Sequence, residues 1–387
     1  MQLEEICFLA IDICGIFNEA KDNITYNLMF DWFIAGHSEI FVNFLFDKCG
    51  EISHSSICSE YQIIFMNSIL KMWKSIVLCI PPKRVIFHSS SRNGLLLFKM
   101  ATNVTNSYLS YILTIINNKQ SNESPNEEAN EPNDVNINYP QNESIHDIDS
   151  NGLNHHHYKG IKYSFVILQN LVSGGYVPFG AFKIYNDLVF ENTLKILTDT
   201  FKALHIETII QYPSVLSSVI HLFRDLVFYH FEILFSIDFN LIDTILLYTE
   251  KCLLQPHEEI QNMAIDIVAN ILQNSIDRLH GQNPIQDYFS DFSTIFFILW
   301  QIILHDTSKI NSNIVFSIKT MIFLKISSIE LVKEKIYEKI FEQKRVLLNK
   351  LFDELSVKLN SKNSHDIILQ LQSILTFLQQ FTSFSFV

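Results

Sequence analysis

The chain has 387 residues, of which 48% are hydrophobic, and its formal net charge is −13. This apolar content excludes a chain that is disordered throughout, and the acidic charge disfavours direct nucleic-acid binding, which depends on clustered lysine and arginine. With 10 glycines and 9 prolines, the chain has too few turn formers for a β-sandwich or β-barrel, so helices joined by short loops are expected.

Two further features favour a protein of a reducing intracellular compartment without membrane insertion. The six cysteines have no regular spacing and provide no disulfide framework, and Glu4 and Glu5 stand where a signal peptide carries positive charge. The apolar window Ile295–Leu304 has about half of the ~20 residues that a membrane span needs, and the window 63–80 is interrupted by an asparagine and two lysines. Both windows are predicted to be buried helices.

The first segment, residues 1–117, is predicted to consist of helical repeats. Its apolar residues recur every three to four positions, which is the period of a helix that buries one face. The predicted helices are Leu3–Glu19, Tyr26–Ala35, Glu39–Cys49, Glu60–Ile80 and Asn93–Ile116.

The second segment, residues 118–158, is predicted to be an acidic, asparagine-rich, disordered insertion. It holds eight acidic residues against one lysine and almost no large apolar side chains, so no core can offset the entropy cost of ordering it. The triplet His155–His157 at its edge could bind a metal weakly. A solvated loop of biased composition is the favoured interpretation.

The third segment, residues 159–387, again shows helical periodicity. Along Pro213–Ile237 one predicted buried face comprises Leu216, Val219, Ile220, Phe223, Leu226, Val227, Phe231 and Leu234. Asp238 is predicted to cap a helix that ends near Leu254, and Pro256 to begin one that ends near Leu279. Further predicted helices are Gln286–Leu304, Asn311–Ile326, Ser328–Leu359 and Ser364–Phe381.

The helix that begins at Pro256 is predicted to be amphipathic, with one dry stripe and one wet side. The dry stripe comprises Ile260, Ala264, Ile267 and Ile271, whereas Glu259, Gln261, Asp266 and Asn270 lie off it.

This order of elements predicts an all-α fold. Antiparallel helix pairs at a spacing of roughly 40 to 47 residues are typical of HEAT and armadillo repeats, which stack into a right-handed α-solenoid. No strict sequence repeat is visible, so an ordinary helical bundle is the competing architecture.

No group of residues in the sequence assembles a catalytic or metal site. Cys49, His54 and Cys58 lack a fourth zinc ligand at a suitable spacing, and the stretch Ser173–Gly180 lacks the ending of a phosphate-binding loop. His205, His221 and His230 lie in apolar helices without a nucleophile pattern, and Cys7 and Cys14 are read as small core residues. We therefore predict no catalytic residue, no cofactor and no metal, and expect that the protein is not an enzyme.

Alternating charges distinguish the stretch Ser328–Ser364, which carries eight basic and six acidic residues. A helix face of mixed sign is usually only solvated, and a role in partner binding is the less favoured interpretation.

Three separated segments resemble nuclear export receptors of the importin-β superfamily. They are LMFDW at Leu28–Trp32, SRNGLLLFK at Ser91–Lys99 and SGGYVPFGAFKIYND at Ser173–Asp187. The resemblance carries no functional residues. It implies turn positions at Gly94, Gly175 and Gly180, and packing positions at Phe98, Phe179, Phe182 and Tyr185.

The resemblance implies that the chain is the C-terminal part of an export receptor. Such a receptor binds protein cargo and nuclear pore proteins, and it shuttles between nucleus and cytoplasm in a cycle that depends on Ran in its GTP form. The N-terminal repeats that hold the family's principal Ran surface have no counterpart in this sequence. The alternative is a HEAT-type interaction scaffold without a transport role.

Overall fold

The computed structural model describes residues 3–20, 22–35, 60–78, 92–122, 149, 151–173, 179–237, 239–277, 289–305, 310–337, 342–359 and 364–379. Every regular element in these ranges is helical, which confirms the all-α prediction for them. The chain divides into two compact units, Met1–Tyr229 and His230–Val387.

Unit 1 contains the first eight helices and most of the ninth. They are α1 (Leu3–Glu19), α2 (Asn23–Phe30, continued by a π-helical turn Asp31–Ala35), α3 (Glu60–Leu78), α4 (Asn93–Asn122), α5 (His155–Ser173), α6 (Gly180–Ile184), α7 (Val189–Ala203), α8 (Ile206–Ile210) and α9 (Pro213–Ile237). Within α9, His230 has φ −130° and ψ 23°, which departs from helical geometry.

The core of unit 1 lies around α3, which packs against α1 and α5. Phe65 and Trp73 on α3 are fully buried, as is Phe17 on α1. The hydroxyl of Tyr26 on α2 donates a hydrogen bond of 2.8 Å to the Ile76 carbonyl, so a polar group in this core has a partner. Aromatic burial of this kind contributes about 2 to 3 kcal/mol per side chain.

Side-chain contacts between helices define the relative directions of α3, α4 and α5 in unit 1. The Asn67 amide donates to the His156 carbonyl at 2.9 Å, and Lys74 lies 5.2 Å from the Tyr163 ring centre, so α3 and α5 run in the same direction. In contrast, Tyr111 near the middle of α4 contacts His157 at the start of α5, whereas Phe98 at the start of α4 contacts Phe182, which follows α5. Helix α4 therefore runs antiparallel to α5.

Unit 2 contains the remaining helices, of 9 to 20 residues each. They are α10 (Phe239–Leu253), α11 (Glu258–Asp277), α12 (Phe289–His305), α13 (Ser312–Phe323), α14 (Ile329–Tyr337), α15 (Glu342–Leu359) and α16 (Ser364–Gln379). Helix α11 packs against α10 and α13, and α15 packs against α14 and α16. The side chain of Asn311 caps α13 by accepting from the amides of Asn313 and Ile314.

Several predicted boundaries differ from the structure. The stretch predicted as one helix, Ser328–Leu359, contains two, α14 and α15. Helix α4 extends to Asn122 and α5 begins at His155, so both edges of the predicted insertion are helical. The predicted helix Glu39–Cys49 and the predicted cap Asp238 lie outside the described residues.

The amphipathic interpretation of α11 is wrong for Gln261. Its side chain was expected on the wet side, but it is 5% exposed and its Nε2 donates to the Leu253 carbonyl at 2.7 Å. Helix α11 buries residues on more than one side because α10 and α13 both contact it. The helical periodicity of the sequence identifies one apolar stripe. It does not identify a polar side chain that is buried because it donates a hydrogen bond to the preceding helix.

None of the helices in the described ranges combines the length and apolar character that crossing a membrane requires. The window Ile295–Leu304 falls on α12, where Trp300 is buried in the protein core. Residues 63–78 of the other window fall on α3, where Trp73 is buried, and its last two residues lie outside the described ranges.

Candidate functional site

A groove with both polar and apolar lining groups lies along α5 and α9 in unit 1. It has a volume of about 670 Å³, and its lining includes Lys162 and Asn170 from α5, and Ser217 and His221 from α9. Leu78, the last residue of α3, lies at its margin. The two helices run in the same direction, because Tyr158 stacks on Tyr212 at one end and Gln169 bonds to Asp225 further along.

Asp225 is the buried polar group that connects the two helices. It is 5% exposed, and its carboxylate accepts from Gln169 Nε2 at 3.0 Å and from Arg224 Nε and Nη2 at 3.1 and 3.0 Å. Burying a carboxylate without hydrogen-bond donors or a positive charge beside it costs on the order of several kcal/mol. Asp225 therefore compensates the charge of Arg224.

Polar side chains of α5 and α9 that line the groove form hydrogen bonds to backbone carbonyls of their own helices. The Nδ1 atom of His221 donates to the Ser217 carbonyl at 2.7 Å, which leaves Nε2 as the acceptor of the neutral ring. The Ser218 hydroxyl donates to the Val215 carbonyl at 2.7 Å, and the Asn170 amide donates to the Val166 carbonyl at 2.8 Å. These local bonds hold the side chains in place beside the groove.

Lys162 lines the groove, and Lys74 on α3 lies 5.2 Å from the ring centre of Tyr163, the neighbour of Lys162 in the chain. Together with Lys71, one turn earlier on α3, we call these two lysines the lysine cluster. Burial lowers the pKa of the Lys74 amine, and the nearby charges of Lys162 and Lys71 lower it further. Within the described ranges, no carboxylate forms an ion pair with any of the three. The cluster is thus a local concentration of positive charge on an acidic chain.

Apolar side chains border the groove. Tyr229 is 53% exposed and contacts Phe228, which is 59% exposed, at 4.8 Å between ring centres. Leu78 at the margin is 43% exposed. These side chains offer apolar contact area next to hydrogen-bonding groups, a combination that is common in recognition sites.

The histidine triplet has a structural role that the sequence interpretation missed. His157 is 6% exposed, and its Nδ1 accepts a hydrogen bond of 3.1 Å from the Asn154 amide. Burial lowers the pKa of His157 to about 4, with the neighbouring His156 acting in the same direction. The prediction of a solvated loop is therefore wrong at His157, which starts α5 as a buried neutral ring.

A buried hydrogen-bond network surrounds the same turn. The Tyr158 hydroxyl donates to the Asp149 carboxylate and accepts from the Asn151 amide, and its ring stacks on Tyr212 at 4.0 Å. Burial, followed by the hydrogen bond to Asp149, raises the pKa of Tyr158. The network fixes the start of α5, on which the groove depends.

The other residues singled out in the sequence have varied positions. Cys49, His54 and Cys58 lie outside the described residues. His205 is exposed, His221 lines the groove, and His230 is buried where α9 departs from helical geometry. In the part of the chain that the structure describes, no three His, Cys, Asp or Glu side chains group as metal ligands.

Of the positions drawn from the resemblance, Phe98, Phe179 and Phe182 do pack together, with ring centres 5.0 to 5.8 Å apart. Two assignments are wrong. Tyr185 is 79% exposed, and Gly94 lies in the first turn of α4 rather than in a turn between helices. Gly180 begins the short helix α6, and Gly175 lies outside the described residues.

The sequence does not predict the groove along α5 and α9. The available signal was the spacing of Lys71, Lys74 and Leu78, which places them on one face of α3. These residues lie near Lys162 only because α3 packs against α5, and sequence spacing does not reveal that packing.

The chain is similar over part of its length to two exportin-type proteins. It is 22% identical over 204 residues to Exportin-7 of Dictyostelium discoideum, a match that covers 52% of this chain and 16% of that protein. It is 23% identical over 230 residues to Ran-binding protein 17 of Homo sapiens, covering 59% of this chain and 17% of that protein. No protein-family model matches the chain. These partial similarities support an exportin-like relationship, and the chain spans about a sixth of the length of these curated relatives.

Proposed function

We propose that this chain is part of a nuclear export receptor that binds protein cargo and carries it through the nuclear pore. The observation that carries the proposal is the similarity to Exportin-7 and Ran-binding protein 17. The proposal assigns the chain no catalytic step and no cofactor.

The packing of unit 1 supports the proposal. Helices α3, α5 and α9 run in one direction, and α4 runs antiparallel to α5 between them in sequence. Such alternation is compatible with stacked HEAT-type repeats, in which each helix pair buries its face against its neighbours. We propose that the described helices form a right-handed solenoid of this type, which offers a long surface to a protein partner.

Ran in its GTP form and nuclear pore proteins are the further partners of the proposal. Coupling between Ran and cargo means that each changes the affinity of the receptor for the other by the same factor. The chain shuttles between nucleus and cytoplasm under this proposal. The support is the similarity to Ran-binding protein 17 and to Exportin-7, whose names refer to Ran binding and to export.

A pull-down from nuclear extract tests the proposed function. The protein in its full-length form is immobilised, and extract is applied with Ran loaded with GTP or with GDP. We expect proteins that are retained with Ran-GTP and released with Ran-GDP. Retention that is the same in both states contradicts an export cycle and favours the alternative of a HEAT-type scaffold without a transport role.

A further inference from the structure

We propose that the groove along α5 and α9 binds an acidic peptide segment of a partner protein in an extended conformation. The proposal deepens the proposed function, since it rests on the chain being a protein-binding receptor and names the chemistry of one contact. Its three supports are the length of the groove, its charge and its mixture of polar and apolar lining groups.

The length of the groove suits an extended segment better than a compact small molecule. Its lining on α9 runs from Ser214 to Tyr229, which corresponds to about 22 Å at the helical rise of ~1.5 Å per residue. An extended peptide covers that distance with about six or seven residues. The groove is partly open to solvent, so a segment of a folded protein or an exposed tail can enter it without threading.

Charge complementarity identifies the occupant as acidic. Lys162 lines the groove, and Lys74 lies 5.2 Å from the ring centre of Tyr163, the next residue after Lys162, so that the charges of Lys162 and Lys71 both lower the pKa of Lys74. No described carboxylate pairs with these lysines. Like charges that lie together without compensation are unfavourable in the free protein, and an acidic ligand relieves that repulsion.

The middle and far end of the groove supply the remaining contacts of a peptide. His221 Nε2 is the acceptor of the neutral ring and can take a peptide N–H. The Ser214 and Ser217 hydroxyls line the same wall. Leu78 and Tyr229, both substantially exposed, provide contact area for apolar side chains between the acidic ones. A peptide in which glutamate and leucine alternate therefore matches the lining.

Fluorescence polarisation tests the proposal with the full chain. The probe is a labelled eight-residue peptide of alternating glutamate and leucine, and a peptide with lysine in place of each glutamate is the comparison. We expect saturable binding of the acidic peptide that weakens as salt is raised, because exposed charges are screened, and no saturable binding of the basic one. Equal binding of both peptides, or none of the acidic peptide, overturns the proposal.

A matched pair of double variants locates the contact. In K71E/K162E both changed residues are solvent-accessible members of the lysine cluster, whereas K195E/K202E makes the same charge change on α7, where both lysines are exposed. We expect at least about a tenfold loss of affinity in the first variant, equivalent to ~1.4 kcal/mol, and less than about a twofold loss in the second. Equal losses in the two variants assign the binding to net charge alone and contradict a groove site.

Circular dichroism and thermal unfolding of both double variants establish that each is folded before binding is measured. The peptide assay contains no Ran. Failure of peptide binding alongside Ran-GTP-dependent pull-down removes the groove proposal only, and the reverse result removes the export cycle only.

Discussion

The lysine cluster of unit 1 and two lysines of the mixed-charge stretch in unit 2 occupy different electrostatic environments. In unit 2, Lys333 pairs with Asp353 at 2.9 Å, and Lys358 donates to Gln370 at 2.7 Å. In unit 1, the lysine cluster on α3 and α5 has no paired carboxylate among the residues that are described. The mixed-charge stretch that stands out in the sequence is thus partly compensated within the fold, whereas lysines that are scattered in the sequence converge.

The helix contacts that single substitutions can test also differ between the two units. In unit 1, α3, α4 and α5 meet at Gly160, with the Tyr108 hydroxyl and Asn67 against its backbone. In unit 2, Gln261 and Asn313 make hydrogen bonds that cross between elements. We expect unit 1 to be the more sensitive to added volume, and unit 2 to respond mainly to the loss of individual hydrogen bonds.

The largest expected effect is that of Gly160→Ala. The added Cβ would meet the Tyr108 hydroxyl and approach Asn67 Oδ1 to 2.5 Å, and Tyr108 is held by its 2.9 Å hydrogen bond to the His157 carbonyl. Overpacking of this kind costs about 3 kcal/mol. Hydrogen exchange should show reduced protection in α3, α4 and α5.

Gly15→Ala is the matched control for Gly160→Ala. Gly15 also lies within a helix of unit 1, but a Cβ there meets nothing within 4 Å. The greater helix propensity of alanine should stabilise this variant by about 0.5 to 1 kcal/mol. Equal effects of the two substitutions contradict the close approach at Gly160.

The second prediction concerns acid and His157. Because the pKa of His157 is lowered to about 4 from 6.5, the unfolded chain binds the proton more strongly than the folded one. The stability that the neutral His157 contributes is therefore fully present above pH 6.5, and it is lost as the pH drops from 6.5 towards 4. The loss at pH 5 is about 2 kcal/mol relative to pH 7.5.

Denaturant unfolding of the wild-type protein and of His157→Gln, each at pH 5 and pH 7.5, measures this contribution. Protonation of Nδ1 removes the acceptor for the Asn154 amide, and glutamine does not titrate. We expect a smaller difference between the two pH values in the variant. The same difference in both proteins rules out His157 as its source.

The third prediction lies in unit 2. Gln261→Ala removes the 2.7 Å hydrogen bond from Nε2 to the Leu253 carbonyl, and should destabilise the turn between α10 and α11 by about 1 to 2 kcal/mol. Asn262→Ala, an exposed neighbour on the same helix, is the control and should change stability by less than about 0.5 kcal/mol. Hydrogen exchange in α10 and α11 checks both variants.

The smallest expected effects are those of removing one lysine charge in each unit. The two substitutions should change stability in opposite directions. Lys333→Gln loses the pair with Asp353, whose carboxylate is largely exposed, and should lower stability by less than about 1 kcal/mol. Lys162→Gln relieves repulsion within the lysine cluster and should raise stability by a few tenths of a kcal/mol, roughly. Thermal unfolding at low salt compares the two. A loss of stability in Lys162→Gln contradicts the uncompensated cluster.

Local signals in the sequence predicted much of the helical framework. The periodicity of apolar residues predicted α1 with the observed bounds. The helix predicted to begin at Asn311 begins at Ser312, directly after Asn311. The single helix predicted over Ser328–Leu359 is wrong, since the charge and apolar pattern continues from α14 to α15 without marking where the first helix ends.

The groove and the buried His157 could not be predicted in the same way. The lysine cluster depends on α3 and α5 running in the same direction, and His157 becomes buried through contacts with Tyr111 and Asn154. The lysine cluster and the contact between His157 and Tyr111 are tertiary arrangements, because each joins helices that are far apart in the sequence. The composition of the acidic stretch 118–158 predicted a solvated segment that extends to Tyr158. In the structure, Tyr158 is 1% exposed and belongs to the core.

Photobleaching in living cells tests the central claim, participation in nuclear transport, most directly. The protein is fused to a fluorescent reporter that is too large to diffuse passively through the nuclear pore, and the cytoplasm is bleached repeatedly. The account predicts that nuclear fluorescence declines as the protein shuttles, and that depletion of Ran-GTP stops the decline. Nuclear fluorescence that stays constant during cytoplasmic bleaching, or a static cytoskeletal or vesicle pattern, contradicts it.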